Sequence, residues 1–400
     1  MLRDRRILAL LCAETVSTTG SEMTWLAVPW FVLSTTGSPT RMGFVVAAGV
    51  AGAALFGLPG GALLARVGAR QTMLIADACR APLVLAVPVL HWAGALSYPL
   101  LLAIVFAESA FFGPYFAAQR VVVPELLGEG EEVVGRANAL LQGATRITLV
   151  LGPAAAGVLI GVIGAATVLV IDAASFAVSF LLVASFLPRT RPVEREESSG
   201  GVFAGLAYIR RDPLLRAWGS MMVLIDASWL VLFAAVPVLV FEEYGRHAAI
   251  AGWLIGAFGA GALGGNVIAY RTLRRFDSLT WASVGLLVEA VPLWLLLPLP
   301  LPAVAVGAAL FASGLANGLV NPALHSILTL RPPAALRGKV MSALLTLSQV
   351  GGPLALLAAG PALGAFGARP VFAVVAAVQT VARIGAGTVG LRLRPTLSPA

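Results

Sequence analysis

The sequence predicts an all-α integral membrane protein of twelve transmembrane helices, arranged as two pseudo-symmetric six-helix bundles. Three observations carry that expectation: a composition too apolar for a water-soluble domain, twelve apolar runs of membrane-spanning length, and an internal repeat that divides them six and six. Of the 400 residues, 59% are hydrophobic and 12% charged, with a mean hydropathy of +0.92. Soluble domains keep about a quarter of their residues charged and under half apolar. Water-soluble enzymes, disordered chains and disulfide-stapled secreted domains are therefore excluded. Cys12 and Cys79 sit in apolar runs and define neither a disulfide framework nor a metal site.

A membrane-crossing helix needs roughly 20 mostly apolar residues. Such runs occur at 7–33, 42–64, 71–90, 96–119, 140–163 and 166–187, and again at 217–241, 250–270, 279–299, 303–324, 340–363 and 370–389. Lipid cannot satisfy backbone polar groups, so runs of this length are helices. The first is too long for the apolar region of a cleavable signal peptide and is expected to stay as a helix. The ninth ends in Pro298, Pro300 and Pro302, and the third and fourth are separated by a short stretch around His91–Pro99.

The basic residues give the chain a direction. Arg3, Arg5 and Arg6 precede the first run. Arg66 and Arg70, Arg120 and Arg136, Arg189 to Arg216, Arg271 to Arg275, and Arg331, Arg337 and Lys339 all fall in the loops after even-numbered runs. The opposite loops hold Arg41, Arg246 and Arg369. Positively charged loops stay in the cytoplasm, so both termini are expected there. The net charge of +8 and the pI near 10.4 are thus orientation information rather than a nucleic-acid footprint.

The charged stretch from Pro188 to Arg216 divides the chain. We expect a first bundle over 1–188, a cytoplasmic linker over 189–216 and a second bundle over 217–400. Gly152-Pro153 in the fifth run recurs 200 residues later as Gly352-Pro353, and Gly164-Ala165 maps at that offset to Gly364-Ala365. Duplicated halves related by an axis along the membrane normal are one architecture of secondary transporters.

Local motifs point to a known family. The loop after the second run carries Gly61, Leu63, Arg66, Gly68 and Arg70, close to the pattern G-x-L-x-D-R-x-G-R-R. Asp77 and Arg80 follow in the third run, and the fifth carries Gly143 and Gly152-Pro153-Ala-Ala-Ala-Gly157. Over its whole length the chain resembles the major facilitator superfamily. The segment from Gly205 to Arg216 is similar to the macrolide-efflux and enterobactin-exporter branch of drug:proton antiporters. The resemblance implies a proton-coupled carrier whose helices 1, 4, 7 and 10 line a central cavity. It also implies a latch at the G-x-L-x-D-R loop and a fifth-helix bend that limits ion leak. Ala65 stands where the signature has Asp and Ala69 where it has Arg. The latch is therefore weaker or uses another acid, such as Glu125, Glu129, Glu131 or Glu132.

Other energy sources are excluded by motif. A phosphate-cradling loop needs G-x-x-x-x-G-K-[ST], and the sole lysine, Lys339, is followed by Val340. The G-x-G-x-x-G match at Gly259–Gly264 lies inside an apolar run, where small residues let helices approach closely. His91, His247 and His325 are too dispersed for a catalytic metal, and no G-x-S-x-G elbow exists. The chain is not expected to be an enzyme or to use a cofactor. A proton gradient remains as its driving force.

Four runs carry polar or aromatic faces at helical spacing. The first has Glu14, Ser17, Thr18, Ser21, Glu22 and Trp25; the fourth has Glu108, Phe111, Phe112, Tyr115 and Gln119. The seventh has Met222, Asp226, Trp229 and Phe233, and the tenth has Asn317, Asn321 and His325. Intramembrane acids usually face a cavity or a partner. Glu22, Glu108, Asp226 and Glu14 are the proton-coupling candidates, since a carboxyl in a cavity can load a proton on one side and release it on the other. The competing reading gives each acid a fixed partner, Arg146 being the obvious one. The rings either form a wall for an amphipathic substrate or simply pack. Asp77 and Arg80 read as a cytoplasmic charge cluster with Arg66 and Arg70, and Arg383 as a residue that snorkels to the inner surface. Asp172 and Glu289 have no evident partner in the sequence. Gly152-Pro153 and Gly352-Pro353 serve either gating or architecture.

The expectation is a cell-membrane exporter of a small amphipathic drug, antibiotic or natural product. It would work as a monomer in lipid by proton antiport and alternating access. An uptake carrier or uniporter is the alternative within transport, and a transport-inactive scaffold or receptor the alternative outside it.

Overall fold

The computed structural model describes residues 5–127, 131–188, 201–272, 277–289, 291–294 and 301–393, which form fifteen α-helices with no strand among them. The first half holds α1 Arg5–Thr36, α2 Pro39–Val67, α3 Ala69–Trp92, α4 Tyr98–Ser109, α5 Phe112–Leu127, α6 Glu131–Ile163 and α7 Ala165–Phe186. Then follow α8 Gly201–Arg211, α9 Pro213–Glu243, α10 Ala248–Thr272, α11 Ser278–Glu289, α12 Val291–Trp294, α13 Ala303–Leu330, α14 Ala334–Phe366 and α15 Ala368–Leu393. Among the described residues ten helical runs are long and apolar enough to cross a membrane, and Ser278–Trp294 is a shorter apolar one. With α1 over the first expected span, these are consistent with twelve crossings.

Among the described residues one span is broken, at a proline. Pro114 has no N–H and its ring crowds the carbonyl of Ala110. The fourth span therefore stops at Ser109, with Phe111 N–H bonding back to Glu108 O at 3.2 Å, and restarts at Phe112. The hairpins joining the fifth and sixth spans of each half turn on Gly164 (φ 82°) and Gly367 (φ 77°), positions that favour glycine. This corrects the repeat: the counterpart of Gly164-Ala165 is Gly367-Ala368, because Gly364-Ala365 lies inside α14.

The chain forms two compact units, Met1–Glu196 with His247–Gly252, and Glu197–Arg246 with Trp253–Ala400. In the first, α1 packs along α6 and α7, α3 along α5 and α7, and α2 along α4 and α5. Leu10, Met73, Ala76, Val122, Val123 and Val183 are buried together there. Lipid tails are as apolar as leucine, so close packing rather than the hydrophobic effect holds such helices together. Gly20 makes one crossing possible, since a Cβ there would collide with the Ser175 and Asp172 side chains on α7.

In the second unit α9 packs on α14 and α15, and α11 on α13 and α15, around Leu215, Trp218, Ala282, Leu286 and Ala386. Asp212 caps α9 through Leu214 N and Leu215 N at 2.9 and 3.0 Å and pairs with Arg331 at 2.8 Å. The helices α10 and α13 cross backbone to backbone. A Cβ at Gly261 would strike the carbonyl of Phe311, and one at Gly318 the carbonyl of Ala262. The glycine-rich run is thus a packing device.

Backbone cannot yield as a side chain end can. Gly318→Ala is expected to cost about 1–3 kcal/mol through overpacking, lowering the thermal midpoint of the purified protein in detergent. Gly161→Ala, where a Cβ meets nothing within 4 Å, should leave that midpoint unchanged or slightly raised.

Candidate functional site

The first unit gathers charge around one guanidinium. Arg80 and Asp77 lie three residues apart and share a face of α3. Arg80 is buried; its Nε donates to Glu108 Oε1 at 2.7 Å and its Nη2 to Ser21 Oγ at 3.2 Å, and its Cζ sits 4.0 Å from the Phe176 ring centroid. Asp172 and Asp77 lie within its electrostatic reach. Both aspartates are buried and accept hydrogen bonds from hydroxyls. Asp172 accepts from Thr24 Oγ1 at 2.5 Å and Ser175 Oγ at 3.2 Å, and Asp77 from Ser179 Oγ at 2.6 Å. The Tyr115 hydroxyl is 3.2 Å from Ser179 Oγ. Asp77 Oδ1 has no hydrogen-bond partner among the described residues.

This arrangement corrects two expectations. Arg80 and Asp77 do not join Arg66 and Arg70: Arg66 is exposed at the end of α2, and Arg70 donates to Ala184 O at 2.8 Å. Glu108 pairs with Arg80 rather than Arg146, whose side chain lies outside the described residues.

The other candidates on the first unit are spread out. Glu14 is buried and accepts from Thr145 Oγ1 at 2.9 Å, leaving Oε2 without a partner among the described residues. Glu22 is half-buried where α1 crosses α6, and a Cβ at Gly152 would come within 2.5 Å of Glu22 Cβ. Gly152 with Pro153 therefore sets how closely α6 approaches that acid. Gly351, next to Gly352-Pro353, plays the same part against α9, where a Cβ would come within 2.7 Å of Val223 Cγ1. Trp25 and Phe112 are exposed, Phe112 stacking on Phe116 at 6.1 Å, whereas Phe111, Tyr115 and Gln119 pack inward. Gly61 and Ala65 lie in α2 and Gly68 turns the chain into α3. Of the alternative latch acids, Glu125 is exposed, Glu129 lies outside the described residues, and so do the side chains of Glu131 and Glu132.

The second unit holds a cavity of about 270 Å³ between α9, α10, α11, α13 and α15. One wall is aromatic: Trp229, Phe233 and Phe258 have ring centroids 4.7 to 5.8 Å apart. The facing polar groups form a directional chain. Asn321 Nδ2 donates to Asn317 Oδ1 at 2.9 Å, Asn317 Nδ2 to Glu289 Oε1 at 2.9 Å, and Arg383 Nη2 to the same oxygen at 2.7 Å. Met222, Asp226 and His325 also line the space. Arg383 does not snorkel, since it is 1% exposed and tied to Glu289. Its Nε and Nη1, and Trp229 Nε1, are buried without a hydrogen-bond partner among the described residues. Each such unmade bond costs about 1–3 kcal/mol.

Five of the expected cavity residues, Met222, Trp229, Phe233, Asn317 and Asn321, thus meet in one space with Asp226. Asp172, Glu289, Arg383 and Phe258 were missed. Glu289 and Arg383 carried a signal, because two opposite charges that lipid tolerates poorly singly should be read as a pair. Arg80 and Glu289 are each the twelfth residue of their helix, α3 and α11, so the third span of each half carries a buried charge of opposite sign.

Removing one partner of a buried ion pair typically costs about 3–5 kcal/mol. Arg80→Met should therefore lower the unfolding free energy in detergent by about that amount. The double variant R80M/E108M is expected to be more stable than the single one.

Comparison with known proteins agrees with this architecture. The sequence matches the Major Facilitator Superfamily over residues 10–356 and 221–398. It is 27% identical over 383 residues to the multidrug efflux pump Tap of Mycobacterium tuberculosis (strain ATCC 25618 / H37Rv), covering 92% of this chain and 89% of that one. The Tap pump of Mycolicibacterium fortuitum is 28% identical over 385 residues, covering 92% and 91%. Among solved structures, a bacterial homolog of the human lysosomal transporter Spinster, inward-facing and unoccupied, superposes with a TM-score of 0.78 at 14% identity over the full length of both chains. A D-xylose-proton symporter gives 0.72 at 15% identity, covering 94% of this chain and 96% of that one. With its all-helical fold and its match along nearly the whole chain, the protein belongs to the Major Facilitator Superfamily of multi-pass membrane transporters.

Proposed function

We propose that this protein exports small amphipathic compounds from the cytoplasm by proton antiport, its two bundles giving alternating access to a site within the membrane. Relatives named as multidrug efflux pumps, alignable over nine-tenths of the chain, support export. The observation that carries proton coupling is a surplus of buried carboxyls: Asp77, Glu108 and Asp172 surround Arg80, and Glu14 is buried nearby on α1. One guanidinium balances one carboxylate. The rest of the charge has to be met by protons, hydroxyl donors or a bound cation, because intramembrane charge is costly.

In this reading Glu22, Glu14, Glu108 and Asp226 take part in proton loading, and Asp172 and Asp77 join them. Arg80 then acts as the internal counter-ion whose allegiance shifts among its acids. The cytoplasmic face holds both termini, the 189–216 linker and the loop of Arg66 and Arg70. No cofactor is needed. A proton crossing 100 mV releases about 2.3 kcal/mol, enough for roughly a fiftyfold concentration ratio.

Inverted membrane vesicles test this. An imposed acidic lumen should drive an amphipathic fluorescent dye into the lumen and dissipate the pH gradient as it does so. The triple variant E22Q/E108Q/D226N is expected to lower gradient-driven accumulation at least tenfold. Full proton-driven transport by that variant overturns the assignment, and accumulation by whole cells instead of vesicles reverses the direction.

A further inference from the structure

We propose that the cavity of the second unit is a binding subsite for an aromatic compound carrying a neutral carbonyl-type oxygen beside its ring. The inference rests on the exporter reading above and narrows its substrate class. It starts from a count of donors and acceptors on the polar wall. Glu289 Oε1 already receives two hydrogen bonds, from Arg383 and Asn317, and Asn317 Oδ1 receives one from Asn321. The hydrogen bonds of this wall run toward the carboxylate, and the wall's buried polar atoms without a partner among the described residues are all donors. Arg383 offers five N–H bonds, of which the one to Glu289 is made; Nε and Nη1 remain buried and unpartnered among the described residues. Trp229 Nε1 is in the same condition. Both residues line the cavity, and Arg383 Cζ lies 5.6 Å from the Trp229 ring centroid. A guest that supplies an acceptor there completes the wall.

The rest of the cavity specifies what carries the acceptor. Trp229, Phe233 and Phe258 present ring faces and edges to a flat aromatic body. A volume near 270 Å³ suits a ring system of about two fused rings, toward the small end of ligand pockets. Charge decides the form of the oxygen. Glu289 and Arg383 cancel, and Asp226 adds a carboxylate to the lining beside His325. A free carboxylate guest would face Asp226 and Glu289, whereas a carbonyl takes the same donors without adding charge. A guest without an acceptor leaves costly donors unmet, and sites built on buried polar groups discriminate strongly on that difference.

Three naphthalenes of nearly equal size provide the test, with binding to the full-length protein in nanodiscs measured by ligand-detected NMR and corrected for empty discs. We expect 2-acetylnaphthalene to bind at least tenfold more tightly than 2-ethylnaphthalene, which lacks the oxygen, and more tightly than 2-naphthylmethylammonium. Trp229→Phe deletes one donor and part of the ring surface. It should weaken the acetyl compound by roughly threefold to tenfold more than the ethyl compound, as for one neutral hydrogen bond. Equal affinity for the acetyl and ethyl compounds, preference for the ammonium, or equal weakening of both neutral compounds by Trp229→Phe overturns the proposal. Binding is read without a gradient, so loss of the preference overturns the subsite even where export is seen. Absence of gradient-driven export overturns the coupled-carrier reading instead.

Discussion

The bilayer interior supplies neither water nor counterions, and every ionisable side chain within it must find its complement in the protein. Much of the helix arrangement follows from that scarcity. Arg80 ties α3 to α4 through Glu108 and to α1 through Ser21, and it covers a ring on α7. Arg383 ties α15 to α11, and Glu289 extends the tie to α13 through Asn317. Both guanidiniums act as keystones, each holding helices far apart in sequence in one orientation. Such pairs are weak evidence for net stability, because desolvation offsets much of their attraction. They do set which faces of the helices meet.

That constraint would have no solution if helix backbones stayed a full side chain apart. Gly20 brings α1 close enough to α7 for Thr24 to reach Asp172. Gly152 does the same for α6 at Glu22, and the α10–α13 crossing brings Phe258 into a unit whose cavity it lines. Small residues and buried charges are two halves of one design. Short polar side chains such as Thr24 and Ser179 cannot hydrogen-bond an acid across a wide crossing.

Hydropathy made the fold legible in the sequence, because length and apolarity are read directly off each run. The break at Pro114 was within reach of the same reading, as proline's effect on the preceding turn is local. The charge network was less so. Helical periodicity shows that Glu108 shares a face with Tyr115, yet it does not say which neighbouring helix that face meets. The sequence therefore offers Arg146 as an obvious partner for the acids, whereas Arg80 is the cation that lies against Glu108. Arg383 failed for a plainer reason. The expected span ended at 389, within snorkelling reach, but α15 continues to Leu393, about 15 Å beyond the arginine. The aromatic and amide faces of the seventh and tenth spans were legible because both residue types repeat at helical spacing on helices that line one cavity.

Arg80 and Glu289 occupy the same position in corresponding helices with opposite sign. Each half therefore pairs its buried guanidinium with a carboxylate of its own, with the cation on the third span of one and on the sixth span of the other. Divergence after duplication must then have moved in compensated steps inside a half. A mutation at Arg80 finds its suppressors on α1, α4 or α7, not at the matching site of the repeat. Pseudo-symmetry in this molecule is a likeness of backbone without a likeness of charge.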